Sequence, residues 1–343
     1  MSAGLKVLAP GLHTTVQDLG RPGYQAIGVP VSGALDGVTL RLANALVRNP
    51  AGAPALEVLF SGPSFEVAAD TVRVALAGPG AGLAIGTEKT RVDAGQSVRL
   101  PRGEVVEIVI GRQSASCYLA VEGGIAVPMV LGSASTYVRA ALGGLYGRAL
   151  RQGDFVPLAM ARATQRAELR LASPMAATGD QPIRVVLGPQ QEYFTAEAVA
   201  ILLDAEFRIS PSADRMGMRL DGPSLQLNCG WDIVSDAITT GAIQVPGSGQ
   251  PIVLLADHQT TGGYPKIATV ISADLPIVGR RRPGDALRFA AVTVEAAERL
   301  CRAAERDLAD LVAALEPATH RPGVDLGSLY DGNLISGVVS GLD

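Results

Sequence analysis

The chain has 343 residues, 48% of them hydrophobic and only 4% aromatic, with 29 basic against 33 acidic side chains and a formal net charge of −4. At about 150 residues per domain this length makes roughly two domains, each able to bury a core without staples. The charge balance and the absence of a long basic run argue against nucleic-acid binding, whose affinity comes from clustered Lys and Arg.

Residues 1–10 carry no charged-then-apolar signal pattern, and no apolar run reaches about 18 residues, so a cytoplasmic chain that neither crosses nor enters a membrane is expected. Three cysteines without CxxC spacing fit a reducing compartment. Residues 36–48 read as a helix, with Asp36 as N-cap and Asn49-Pro50 as the stop. Residues 72–77 and 104–110 read as strands closed by glycine turns, as does 183–187. A second helix is expected over 195–204. Residues 251–256 form a continuous apolar run, as in a strand buried on both faces. The longest helical pattern covers 292–315, ends at Pro317, and leaves a Gly- and Ser-rich tail that is expected to be loosely held. Strands dominate, and the helices read as additions to sheets or barrels.

Three echoes suggest a duplicated β unit. Arg21-Pro-Gly-Tyr24 returns as Arg215-Met-Gly-Met218, and GPSFEV at 62–67 as GPSLQL at 222–227. Gly153-Asp154 in GRALRQGD returns as Gly284-Asp285 in GRRRPGD, and the order is kept. The expected division is 1–175, 176–292 and a C-terminal helix and tail at 293–343. Clefts between such halves are favoured ligand sites.

The segment richest in chemistry is GAIQVPGSGQ (241–250), the apolar strand, then DHQTTGGYPK (257–266). Asp257 could accept from an amide N–H, and Gln259, Thr260 and Thr261 offer donors and acceptors. Gly262-Gly263 could leave two backbone N–H groups free, and Lys266, one of three lysines, could meet a carboxylate. His258 could act as a base or simply hydrogen-bond. The alternative is a tight loop whose polar groups satisfy its own backbone. In TTVQDLGRPGY (14–24), Asp18 and Arg21 either pair with each other or leave Arg21 to a substrate carboxylate. Ser32, before Gly33, could bond a ligand or cap the following helix. The glycine-rich 132–148 stretch lacks a Walker Gly-Lys-Ser/Thr, so it shows no ATP site of its own. His13, His258 and His320 form no metal-binding pattern, and Cys117 and Cys229 read as buried small hydrophobes.

TTVQDLGRPGY, GVPVSGALD, LGSASTY and above all GAIQVPGSGQPIVLLADHQTTGGYPKIATVISADLP resemble the allophanate-hydrolase-subunit-2 family, also called KipA or the C component of 5-oxoprolinase. The resemblance runs from about Lys6 to Phe289. It implies a mostly β fold of two cyclophilin-like β-barrel subdomains. It further implies a KipI-like (allophanate hydrolase subunit 1) partner, with a LamB/YcsF-like protein in the 5-oxoprolinase case. Asp257, Gln259, Thr261, Tyr264 and Lys266 carry over as candidates, with Asp18 and Arg21, whereas position 258 accepts Arg as well as His. NCGWD at 228–232 and GRRR at 279–282 depart from the family pattern and leave the substrate open. The resemblance implies an enzyme component that opens a small cyclic amide such as 5-oxoproline, with ATP bound by or shared with a partner. The rivals are a biotin-dependent carboxyltransferase acting on urea, and a binding protein that sequesters a KipI-like kinase inhibitor without chemistry.

Overall fold

The structure, a computed structural model, describes residues 3–318 apart from 178, 229 and 231. Cys229, Trp231 within NCGWD, His320 and the C-terminal tail lie outside the described residues.

Strand-forming sequence in the first half builds two sheets. One is six-stranded, in the order Phe155–Pro157, Gly4–Ala9, Ser64–Val67, Val105–Val109, Gly82–Ile85, Thr90–Asp93. The other is seven-stranded and begins His13–Gln17, Ala55–Leu59, Ser116–Val121, Thr71–Ala77, Gln96–Pro101. Period-2 alternation explains how one strand serves two layers. In Thr71–Ala77, Val72, Val74 and Leu76 point into the core between the sheets with Leu5, Phe65 and Leu119. Ala75 and Ala77 point the other way, and being small they let a helix approach with Leu40 and Leu46. That helix, α1 (Gly37–Leu46), starts as expected: the Asp36 side chain accepts from Thr39 N at 2.9 Å.

The second half is built on an eight-stranded sheet, ordered Ala286–Leu287, Phe207–Ile209, Gly217–Asp221, Ile252–Leu254, Ala242–Gln244, Lys266–Val270, Ile183–Leu187, Phe289–Ala291. Its two edge strands are neighbours in sequence, separated by Arg288 alone, so the sheet curls until its edges nearly meet. Ile183, Phe207, Leu220, Ile243, Val253 and Phe289 fill this near-barrel. The apolar run at 251–256 gives a strand of only three residues, because its partner strands pair with it only over Ile252–Leu254. Leu255 and Ala256 leave the sheet for the seam between the halves. The helix expected over 195–204 is α2 (Ala196–Asp204), with Thr195 capping it. A short helix not read from the sequence, α3 (Leu275–Gly279), packs near α1. The longest helix is α4 (Val294–Ala313).

One echo of the duplication is reproduced bond for bond. In RQGD, Arg151 N donates to the Asp154 carboxylate, Gly153 N to Val7 O, and Val7 N to Asp154 O. In RPGD, Arg282 N donates to the Asp285 carboxylate, Gly284 N to Ile209 O, and Ile209 N to Asp285 O. Gly153 and Gly284 both hold left-handed backbone, φ 85° and 90°, where glycine alone is unstrained. The GPS echo is not matched: Ser64–Val67 is a strand, whereas 222–227 follows the strand Gly217–Asp221 and makes only an isolated bridge from Leu227 to Phe194.

After the second half the chain returns to the first. Leu308 of α4 is buried with Leu40 and Leu46, and Arg41 Nη1 donates to both carboxylate oxygens of Glu305. The strand Glu316–Pro317 then pairs with Leu169–Arg170 as the last strand of the seven-stranded sheet.

Candidate active site

The seam between the halves is held by buried ions. Glu57 sits in the otherwise apolar strand Ala55–Leu59 and is fully buried. A charge there requires partners, since burying a lone ion is costly. Its Oε2 accepts from Leu35 N at 2.9 Å and from Tyr118 Oη at 2.7 Å. Its Oε1 accepts from Arg215 Nη1 of the second half. Arg215 turns its other edge to Asp257, with Nε–Oδ2 at 2.9 Å and Nη2–Oδ1 at 3.1 Å, and also donates to Gly33 O. Tyr118 Oη accepts from Asp36 N at 2.8 Å, and Arg280 Nε reaches the Asp36 carboxylate at 2.5 Å. A polar chain thus runs from Asp257 through Arg215, Glu57 and Tyr118 to Asp36 and Arg280. Burial alone would lower the Arg215 pKa, but Glu57 and Asp257 outweigh it and hold the guanidinium firmly charged. The Tyr118 hydroxyl is pushed well up by burial, then by Glu57 and Asp36.

Beside this chain, several buried polar atoms have no partner among the described residues: His13 Nδ1, Gln17 Oε1, Arg21 Nη1 and Ser32 Oγ. His13, Thr15 and Gln17 share one face of a strand whose opposite face places Val16 in the first core. The fields of Glu57, Arg215 and Asp257 reach His13, and those of Asp18 and Asp257 reach Arg21. Burial lowers the pKa of His13, of Arg21 and of His258.

Asp18 and Arg21 do not pair with each other, as one reading of their spacing had it. Both clamp the 130–135 loop. The Asp18 carboxylate accepts from Gly20 N at 2.8 Å, Ser133 Oγ at 2.6 Å, Ala134 N at 2.6 Å and Ser135 Oγ. Arg21 donates to Ser135 O and, at 3.4 Å, to Val130 O, which leaves Nη1 as its uncommitted nitrogen.

The 257–266 segment is divided. Asp257 and His258 turn into the seam. His258 Nδ1 lies 2.6 Å from Gln259 O, an acceptor only, so Nδ1 carries the proton and Nε2 accepts from Thr240 Oγ1 at 3.2 Å. With both nitrogens engaged, His258 is not a free base. Gln259 and Thr261 are exposed, and Thr260 O accepts from Ile238 N. Thr261–Gly262 pairs with Asp236–Ala237 in a two-stranded sheet, and Gly263 O accepts from Ile233 N, so the segment is tied to the 233–238 stretch. Glycine is needed at 262 for closeness, since a Cβ there would lie 2.6 Å from Ile238 Cδ1. Tyr264 stands at the surface, 38% exposed. Lys266 is buried and its Nζ meets Asp236 Oδ2 at 3.0 Å, away from Asp257. That hydrogen bond holds the Asp236 carboxyl below its ordinary range.

Glu57, Arg215 and Tyr118 were not singled out as site residues from the sequence. A lone Glu in an apolar strand, and the echo of Arg21 by Arg215, were the available signals. A cavity of about 300 Å³ adjoins the seam, lined by Ser32, Leu35 and Val38 from the first half and by Thr240, Leu255 and Ala256 from the second. Among the described residues no cluster of three or more His, Cys, Asp and Glu is placed to hold a metal, and no helix is long and apolar enough to cross a membrane. A triphosphate needs uncommitted cations. Arg41, Arg215, Arg280 and Lys266 each hold a carboxylate already, so these residues do not fit ATP.

Residues 27–291 match the family described as carboxyltransferase domain, subdomain A and B, and the chain belongs to that family. Two bacterial relatives carry the name of the C component of 5-oxoprolinase. The Escherichia coli protein is 35% identical over 293 residues, covering 85% of this chain and 93% of its own. The Haemophilus influenzae protein is 36% identical, covering 84% and 92%. The urea amidolyase of Kluyveromyces lactis superposes with a TM-score of 0.82 at 27% identity, over 94% of this chain but only 20% of that one. The mostly β fold read from the sequence is the one that superposes on this urea amidolyase.

Proposed function

We propose that this chain is the amide-holding component of an ATP-dependent 5-oxoprolinase-type hydrolase, acting with KipI-like and LamB/YcsF-like partners. The observation that carries this reading is coverage: the chain corresponds to 93% of the Escherichia coli 5-oxoprolinase component and to 20% of the Kluyveromyces lactis urea amidolyase. The seam supports it chemically. Arg21 Nη1 is an uncommitted donor suited to the carboxylate of 5-oxoproline. The Asp257–Arg215–Glu57 bridge sets a fixed field beside it in a water-poor setting, where oriented charges act strongly. ATP belongs to a partner in this scheme, because Arg41, Arg215, Arg280 and Lys266 already hold carboxylates and Arg21 is assigned to the substrate. Purified chain and both partners should release glutamate from 5-oxoproline only with ATP and only when all are present. Full turnover by the partners alone would overturn the reading.

The structural likeness to the urea amidolyase favours a second reading, carboxyl transfer to urea or a related amide, with biotin delivered from a separate carrier domain. Carboxylation of urea by a complex containing this chain, without 5-oxoproline turnover, would select it.

A further inference from the structure

We infer that the groove between α1 and α4 is a docking site for the chain's own carboxyl-terminal segment, with residues 324–331 as its occupant. The groove encloses about 690 Å³. Ala45 of α1 and Ala51 just after it line one side, and Leu308, Ala309, Val312 and Leu315 line the other. α4 itself is short of cover. Of its 20 residues only Leu308 is buried, while Leu311 stays 47% and Val312 37% exposed. An amphipathic helix draws most of its stability from covering its apolar stripe, and here much of that stripe is open.

Position and composition single out the occupant. Ala318 N donates to Glu168 O at 2.8 Å, beside Leu169, which is itself a wall of the groove. Residues 319–343 therefore start at the lip of the groove. At about 3.3–3.6 Å per extended residue, Val324 can lie anywhere within about 20 Å of Ala318. A tethered segment meets its site at an effective concentration on the order of millimolar, so weak contacts suffice. Nine of these 25 residues are Val, Leu, Ile or Tyr, and only Arg321, Asp325, Asp331 and Asp343 are ionised. Segments that remain fully solvated carry few such apolar residues and a high net charge. VDLGSLYD, at 324–331, is the first apolar stretch after the exit, with Val324, Leu326, Leu329 and Tyr330.

The charges agree in sign. Among the lining residues only Arg41 and Arg48 are ionic. Arg41 holds Glu305. Arg48 is exposed and forms no ion pair among the described residues, and its like charge already reaches Arg166. Asp325 and Asp331 travel with the four apolar side chains, and either gives Arg48 a counter-ion. An exposed ion pair adds little energy. It sets the register, and apolar burial holds the segment.

The test uses the purified full chain with p-benzoylphenylalanine in place of Leu329, prepared in isotopically heavy and light forms and mixed. Irradiation and peptide mapping should join position 329 to residues 308–315 or 45–51 of the same chain. Leu326→Asp with Tyr330→Asp should cut the yield about tenfold or more, the worth of burying one to two apolar side chains. In the chain with Leu329 intact, the same pair should speed amide exchange across 308–313. Val312→Asp, made in the groove, should cut the yield to a similar extent. If Val312→Asp does not fold, the tail pair decides, since it leaves the core untouched. Cross-links that miss both groove walls, or a yield and exchange rate unchanged by the tail pair, overturn the inference. Cross-links found only between heavy and light chains would assign the groove to a second copy's segment and overturn it as well.

Discussion

Replacing Arg215 by methionine is the most informative perturbation of the seam. Arg215 makes two hydrogen bonds to Asp257, one to Glu57 and one to Gly33 O, while 6% exposed. Methionine preserves much of the apolar contact and removes all four bonds. Glu57 keeps Leu35 N and Tyr118 Oη, but Asp257 loses its ion-pair partner. Removing one member of a buried ion pair costs about 3–5 kcal/mol, because the remaining charge stays buried. Against a total stability of about 5–15 kcal/mol that is a large fraction. Urea unfolding followed by circular dichroism should therefore show a much lower midpoint for Arg215→Met. That variant strands both Glu57 and Asp257; adding Asp257→Asn removes one of the two stranded charges and should recover part of the loss, about 1–3 kcal/mol. A single variant within about 1 kcal/mol of wild type, or a double variant less stable than the single, would refute the claim that these ions hold the halves together.

Tyr118→Phe removes the hydroxyl between Glu57 and Asp36 N and should cost about 1–3 kcal/mol in the same assay, through two buried groups left short of a partner. Gly262→Ala should destabilise by about 1–3 kcal/mol, because the new Cβ meets Ile238 Cδ1 at 2.6 Å and Gln244 Nε2 at 2.8 Å. Acid should act in two stages. Burial holds the pKa values of His13 and His258 below 6.5, so the unfolded chain binds the extra protons, and stability falls as pH drops below about 6.5. For Asp154 the Arg148 hydrogen bond lowers the carboxyl pKa. For Glu122 burial raises it, but Thr164 and Arg73 outweigh this and leave it low. Their contribution is lost below about pH 4.5, as pH falls through those lowered values. A urea midpoint that stays flat from about pH 7.5 to 5.5, or the same slope in a His13→Gln, His258→Gln double variant, would contradict the upper stage.

Local signals made much of the fold legible. Asp36 and Thr195 announce helix starts because their side chains cap orphan N–H groups. The RQGD and RPGD turns are legible as a repeat because each fixes a glycine φ and an Asp–backbone bond within four residues. The site was less legible because its partners are distant in sequence. Nothing local in ALEVL says that Glu57 meets Arg215, 158 residues away. The density of polar residues in 257–266 was a true signal of demand for hydrogen bonds. The structure spends most of that demand internally: Lys266 on Asp236, Thr260 and Gly263 on the 233–238 segment, and Asp257 on Arg215. α3 escaped notice because five residues containing Pro276 carry no periodicity to read.

The return of the chain after its second half ties the fates of the two halves. Leu169–Arg170 and Glu316–Pro317 lie side by side although the whole eight-stranded sheet of the second half comes between them in sequence. No single cut therefore yields an intact first half: ending the chain before α4 strips away Leu308 and the last strand of its sheet, baring Leu40 and Leu46. Proteolytic nicking or truncation within 294–317 should loosen the α1 face far upstream, so the carboxyl-terminal helix works as a strap that makes unfolding of one half felt by the other.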